Sequence, residues 1–269
     1  MGFKLAVSGK GGVGKTTIAA MLASLMKREG RRVLAIDADP DANLAAALGM
    51  SAEEREAIVP LSRRRALIEE RTGARVREYG QIFRLNPEVS DIAEKESARF
   101  RGIHLLVLGA VESGGSGCAC PENVLLRALL ADVILYRDDA VILDLEAGLE
   151  HLGRATAQGV DLMLVVVEPS VQSVETAREV RRMAGEIGLT RLSFVGNKIA
   201  DAEDQAFIDE ALANERSYIG SLPLDGAIRR AHREGMALFD VASPDLMGRF
   251  ESLWSSIKEH LSPQRNEGA

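Results

Sequence analysis

Cysteine is scarce in this chain of 269 residues: there are two, Cys118 and Cys120. Two thiols make no disulfide framework, and a spacing of one intervening residue is too short for a relaxed structural bridge. They are left as thiols or metal ligands. Long hydrophobic runs are also missing. Stretches such as Leu162–Val167 and Leu105–Leu108 are strand-sized, far below the roughly 18 residues that mark a membrane-spanning helix. Positive charge is not in excess. Lys and Arg number 33 against 40 Asp and Glu, for a net charge of −7, which argues against a general nucleic-acid coat. No basic and apolar leader opens the chain, and Ala6 stands where a myristoylation signal wants Ser or Thr. There is no internal repeat and no low-complexity run. These absences predict a soluble, cytoplasmic protein without nucleic-acid or membrane partners.

What is present is an ordinary globular composition, 46% apolar and 27% charged, which excludes collagen-like and disordered classes. At roughly 150 residues per domain the length allows one large or two small domains. Strand-like runs at Phe3–Val7, Arg32–Ile36, Ile103–Leu108, Ala140–Leu143, Asp161–Val167, Leu192–Val195 and Tyr218–Ile219 alternate with helical stretches. Those stretches lie at about 15–29, 121–136, 172–187, 203–213, 225–234 and 245–261. Strands that read as continuous apolar runs, alternating with helices, predict an α/β fold. It is a doubly wound, mostly parallel sheet with helices on both faces, in a single domain over 1–269. Residues 50–100 break the rhythm. They read as an inserted helical and loop segment without a clear strand, whose arginines from Arg63 to Arg77 form a solvated face among acidic neighbours.

The residues Gly9-Lys10-Gly11-Gly12-Val13-Gly14-Lys15-Thr16 fit G-x-x-x-x-G-K-[ST], after a strand and before a helix, as a P-loop requires. Glycines let the backbone curl so that its N–H groups and the helix N-terminus face phosphates. Lys15 is placed to hold the β- and γ-phosphates and Thr16 to ligate Mg²⁺, so the predicted ligand is ATP or ADP. Two further acid-bearing strand ends follow. Ile36-Asp37-Ala38-Asp39-Pro40-Asp41 closes the second strand, where a doubly wound sheet places ligands. Asp41 there also reads as the cap of a helix at about 42–48. Val141 to Asp144 is apolar strand ending in an acid, which makes Asp144 a Walker B candidate near Mg²⁺. Gly148 could supply an N–H to the γ-phosphate, and Glu146 reads as a surface residue rather than an added acid near the metal.

The run Gly117-Cys118-Ala119-Cys120-Pro121 precedes a helix, and Pro121 suits its first position. Both sulfurs then sit at a helix N-terminus, where thiol pKa falls and thiolates form. Two thiolates do not fill a tetrahedral Zn²⁺ site, but two chains across a twofold axis supply four. Square-planar Ni²⁺ also accepts four thiolates, or two with nitrogen donors, so the spacing alone does not choose the metal.

The early Lys10 gives the loop the form K-G-G-V-G-K-T-T, which resembles the deviant Walker A ATPases. That class includes the MinD and ParA proteins, the arsenite and tail-anchored-protein targeting ATPases and the nitrogenase iron protein. The resemblance implies an ATP-controlled homodimer in which Lys10 reaches the partner's nucleotide. It also implies that Asp39 orients the attacking water and that Asp37 supports Mg²⁺ or the loop. Thr17 joins the nucleotide set, Asn197 reads the adenine edge beside Lys198, and Pro223 lines the adenine pocket. Asn197 also reads as a turn residue. With G-C-A-C-P-E-N, D-L-E-A-G-L-E-H-L-G-R-A-T-A and V-V-E-P-S added, the sequence looks like the CooC-type ATPases that mature carbon monoxide dehydrogenase. By that resemblance Cys118 and Cys120 of two subunits hold Ni²⁺ or Zn²⁺, and the client is carbon monoxide dehydrogenase. Two alternatives share the loop: an ATP-dependent reductase with a bridging [4Fe–4S] cluster, and a MinD- or ParA-like positioning ATPase. The first is disfavoured because the iron protein's cysteines are far apart in sequence. Of the second, a MinD-like protein needs a membrane-seeking tail, whereas the stripe Phe250, Leu253, Trp254, Ile257 and Leu261 reads as core, and DNA partitioning of the ParA kind fits poorly with the acidic balance.

Overall fold

The computed structural model describes residues 2–76, 78, 81–110, 120–136, 139–146, 156–157, 159–213, 215 and 217–261. Among them, eight strands form one sheet in the order β3-β4-β2-β5-β1-β6-β7-β8. The strands are β1 (Phe3–Gly9), β2 (Val33–Asp37), β3 (Ala98–Phe100), β4 (Ile103–Val107), β5 (Ala140–Asp144), β6 (Leu162–Val167), β7 (Leu192–Ile199) and β8 (Tyr218–Pro223). The long helices are α1 (Lys15–Arg28), α6 (Pro121–Tyr136), α7 (Val171–Glu186), α8 (Ala202–Ala211), α9 (Gly226–Glu234) and α11 (Pro244–Leu261). Short ones are α2 (Leu44–Ala47), α3 (Ala52–Glu56), α4 (Arg65–Thr72), α5 (Ile92–Glu96) and α10 (Leu238–Val241). All pairings are parallel except β3 with β4, as the α/β reading required.

The central strands are buried throughout and mostly apolar because each faces two cores. Along β1, Phe3, Leu5 and Val7 pack with α1 and α11, while Ala6 points into the layer of α6 and α7. In β5 the same alternation sends Ala140 and Ile142 one way and Val141 and Leu143 the other. Period-two side-chain geometry therefore divides one continuous run between two cores. The carboxyl-terminal helix belongs to the first. Phe250, Leu253, Trp254 and Ile257 are buried there, the Trp254 ring lies 5.6 Å from that of Phe3, and its N–H donates to Glu29 at 2.9 Å. No described helix is long and apolar enough to cross a membrane.

The sequence reading missed two elements. The strand β3 lies inside a region read as strandless. It forms an antiparallel hairpin with β4 through Arg101 (φ 49°) and Gly102 (φ 78°), a two-residue turn with both residues left-handed. Arginine at the first position hid it, because Asn or Asp is the usual signal. Helix α10 has four residues, too few for a periodic pattern. Elsewhere in 50–100 some of the arginines are ion-paired: Arg71 grips Asp91 with two bonds of 2.9 and 2.8 Å, and Arg64 pairs with Glu96. Arg77 lies outside the described residues.

Candidate active site

Registers at the carboxyl edge of the sheet put the acids and the loop together. Asp37 and Val7 are both opposite Asp144, so β2, β5 and β1 end side by side with the P-loop rising from β1. Two glycines of the loop are sterically required. A Cβ on Gly9 (φ 145°) would lie 2.5 Å from the Val166 carbonyl oxygen of β6. One on Gly14 (φ 101°) would lie 2.4 Å from the Asn197 amide nitrogen. The same amide nitrogen donates to the Val13 carbonyl at 2.7 Å, and Lys198 donates to the Gly12 carbonyl at 2.6 Å and to Glu168 at 2.9 Å. The end of β7 thus braces the loop from behind. Lys198 holds a left-handed backbone (φ 62°) to do so, which a non-glycine residue adopts at a cost.

Lys15 is buried in the loop, its Nζ 3.4 Å from the Lys10 carbonyl and 3.9 Å from an Asp39 oxygen. Lys10 lies against its own chain, donating to Gln172 at 3.0 Å with Glu168 at 3.8 Å. Asp37 accepts from the Leu44 N–H at 2.8 Å and from the Asp39 N–H at 3.3 Å, and so ties β2 to the start of α2. Asp41 donates its N–H to Asp39 at 3.0 Å. It does not cap α2, whose N-cap is Asn43 and whose first N–H goes to Asp37. Burial is the main force on both deep carboxyls. It pushes Asp37 up to about 6 and Asp144 up to about 7, against the pull of hydrogen bonding on each and of the Lys15 charge on Asp144. Both oxygens of Asp144 are buried without a hydrogen-bonding partner among the described residues, the Thr16 hydroxyl facing them outside full hydrogen-bonding geometry. An orphaned buried carboxylate beside a hydroxyl calls for a hard cation. The described His, Cys, Asp and Glu side chains form no cluster of three able to hold a metal alone.

The loop and Asp39 open on a cleft of about 780 Å³, a size suited to a small ligand. Lys15, Thr16, Thr17 and Asp39 line it, and four residues not singled out for it from the sequence do as well: Asn43, Arg55, Glu146 and His232. Glu146, read as a surface residue, faces this cleft, and its carbonyl accepts from the buried Ser8 hydroxyl at 3.0 Å. Arg55 and His232 carried no motif, because they arrive from α3 and α9, far from the loop in sequence. Pro223 ends β8 opposite Ile199, one strand beyond Asn197. Cys120 holds a half-buried thiol, and its carbonyl accepts the Val124 N–H at 3.0 Å, so it stands at the head of α6 with Pro121 first in the helix. Cys118, Gly148 and the E-H-L-G-R run lie outside the described residues.

A P-loop at the centre of a parallel sheet, with acids on the neighbouring strand ends, defines a nucleotide-binding P-loop protein of the MinD/ParA class. The profile of the CobQ/CobB/MinD/ParA nucleotide binding domain matches residues 4–239, and the chain belongs to that family. Within it the chain is 43% identical over 260 residues to the carbon monoxide dehydrogenase accessory protein CooC of Rhodospirillum rubrum, covering 97% of this chain and 98% of that one. That bears out the CooC-type resemblance. An uncharacterized ATP-binding protein of Methanocaldococcus jannaschii is 46% identical over 224 residues, or 82% of this chain and 85% of its own length. Among solved structures, the MinD cell division protein of Aquifex aeolicus superposes with a TM-score of 0.68 at 19% identity, over 97% of this chain and 99% of that one, which supports the fold.

Proposed function

We propose that this chain is an ATP-hydrolysing, homodimeric metallochaperone that assists nickel insertion into the active-site cluster of carbon monoxide dehydrogenase. The observation that carries the reading is similarity to CooC along almost the whole chain, together with a Cys-x-Cys pair whose second member heads α6. In this account Gly9, Gly11, Gly12, Val13 and Gly14 offer backbone N–H groups to the phosphates, and Lys15 neutralises the β- and γ-oxygens. Thr16 and Asp144 hold Mg²⁺, with Asp37 and Asp39 behind them. Held there, Mg²⁺ would supply positive charge against the negative charge of the phosphates. Asp39 orients the attacking water. Lys10 leaves Gln172 and Glu168 to reach the partner's nucleotide, so that ATP couples to closure of the dimer. Asn197, Lys198 and Pro223 form the adenine side. Closure brings Cys118 and Cys120 of two subunits into one tetrathiolate site for Ni²⁺ or Zn²⁺, the cargo.

The experiment is reconstitution: nickel-free carbon monoxide dehydrogenase is incubated with Ni²⁺, ATP and this protein, and its activity is followed. Wild type speeds activation, while Cys118→Ser/Cys120→Ser and Lys10→Ala do not. Equal activation by the cysteine variant would refute the reading.

A further inference from the structure

The cleft contains a contact that the P-loop assignments leave unused. Thr17 Oγ1 lies 3.1 Å from His232 Nε2, across 215 positions of sequence. The threonine is buried, and both residues line the cleft beside Thr16. The placement of His232 is built. Its helix α9 starts on the Asp225 carboxylate, which accepts the Ala227 N–H at 2.6 Å, and ends at left-handed Gly235 (φ 65°). The segment after it is pressed onto the loop following α2. A Cβ on Gly49 (φ 90°) would lie 2.8 Å from the Ala237 backbone nitrogen, so only glycine permits this approach. The last turn of α9 is thereby fixed over the first turn of α1.

The chemistry follows from the two groups. A neutral imidazole nitrogen either donates or accepts, and a hydroxyl has one proton to donate and two lone pairs. If Nε2 accepts, the Thr17 proton is spent on the ring. If Nε2–H donates, that proton is free for an anion in the cleft. Thr17 follows Lys15 and Thr16 into the helix, so it sits at the end of the phosphate cradle away from the loop and the γ-phosphate.

We infer that His232 is a positioning residue of the nucleotide site. Its Nε2–H donates to Thr17, which donates to a non-bridging oxygen of the nucleotide's α-phosphate. The anion selects the tautomer, and the ring closes the nucleoside end of the cleft. The inference rests on reading the P-loop as the nucleotide site and deepens it.

The test is a double-mutant cycle on ADP binding by calorimetry, with thermal melts to verify that each variant is folded. His232→Leu is expected to weaken ADP about tenfold, the effect of one hydrogen-bonded polar contact. His232→Gln, which restores a donor, is expected to recover most of that loss. In a Thr17→Val background the His232→Leu substitution is expected to cost less than twofold. Wild-type ADP affinity in His232→Leu, an undiminished tenfold penalty without Thr17, or no recovery by Gln in a folded protein overturns the inference. Lys15→Ala separates the underlying reading: if it too binds ADP as wild type does, the P-loop assignment itself fails.

Discussion

At the residue scale the central feature is a carboxylate kept in an unfavourable place. Asp144 is buried, with neither oxygen in a hydrogen bond of full geometry among the described residues, and is pushed up to about 7, with Asp37 at about 6. Both lie above the ordinary carboxylate range near 4. Between about pH 4 and 7 the folded chain therefore holds more protons than the unfolded one, and the stability these groups contribute falls as pH rises through that window. Asp144→Asn should raise the melting temperature of the nucleotide-free protein at pH 8 by about 2–6 °C, gain much less at pH 5, and abolish ATP hydrolysis. A melt that is lower at pH 8 would contradict this. The loop's rigidity gives a second expectation. Gly14→Ala sets a methyl against Asn197 at a left-handed position, so ADP affinity should drop at least tenfold by calorimetry. That Lys15, Thr16, Asp37, Asp39 and Asp144 gather at one edge of the sheet was legible because motif and strand end coincide in sequence. Arg55 and His232 were not, because tertiary packing brings them to the cleft from α3 and α9, whereas Glu146, two positions after Asp144, was within reach of the motif and read as surface.

At the element scale, regular strands and helices were readable wherever burial was two-sided or periodicity ran for several turns. The exceptions were β3, whose turn carries Arg101 instead of Asn, and α10, which is a single turn. Helix α11 repays reading as core. Trp254→Ala should cost about 3–5 kcal/mol in denaturant titration, and ATP should not drive the wild-type protein to sediment with liposomes. Helix α7 restrains Lys10 through Gln172. Because an exposed hydrogen bond of this kind is worth about 0.5–1 kcal/mol, Gln172→Ala should lower the ATP concentration needed for half-dimerisation about two- to fivefold, as followed by sedimentation velocity. An unchanged midpoint would mean that release of Lys10 is not part of closure.

At the scale of the whole molecule, the scarcity of cysteine becomes the main argument for assembly. One chain offers two thiols, and the proposed tetrathiolate site needs four. Metal loading, dimerisation and nucleotide state are then expected to be thermodynamically linked, each favouring the others by the same factor in both directions. The direct test is to titrate Ni²⁺ and Zn²⁺ into wild type and Cys118→Ser/Cys120→Ser, with no nucleotide, ADP or ATP, while measuring molecular mass. The account predicts one metal per two chains in a species of dimeric mass, lost in the double variant. Unchanged metal binding by the double variant, or one metal on a monomer, would contradict it.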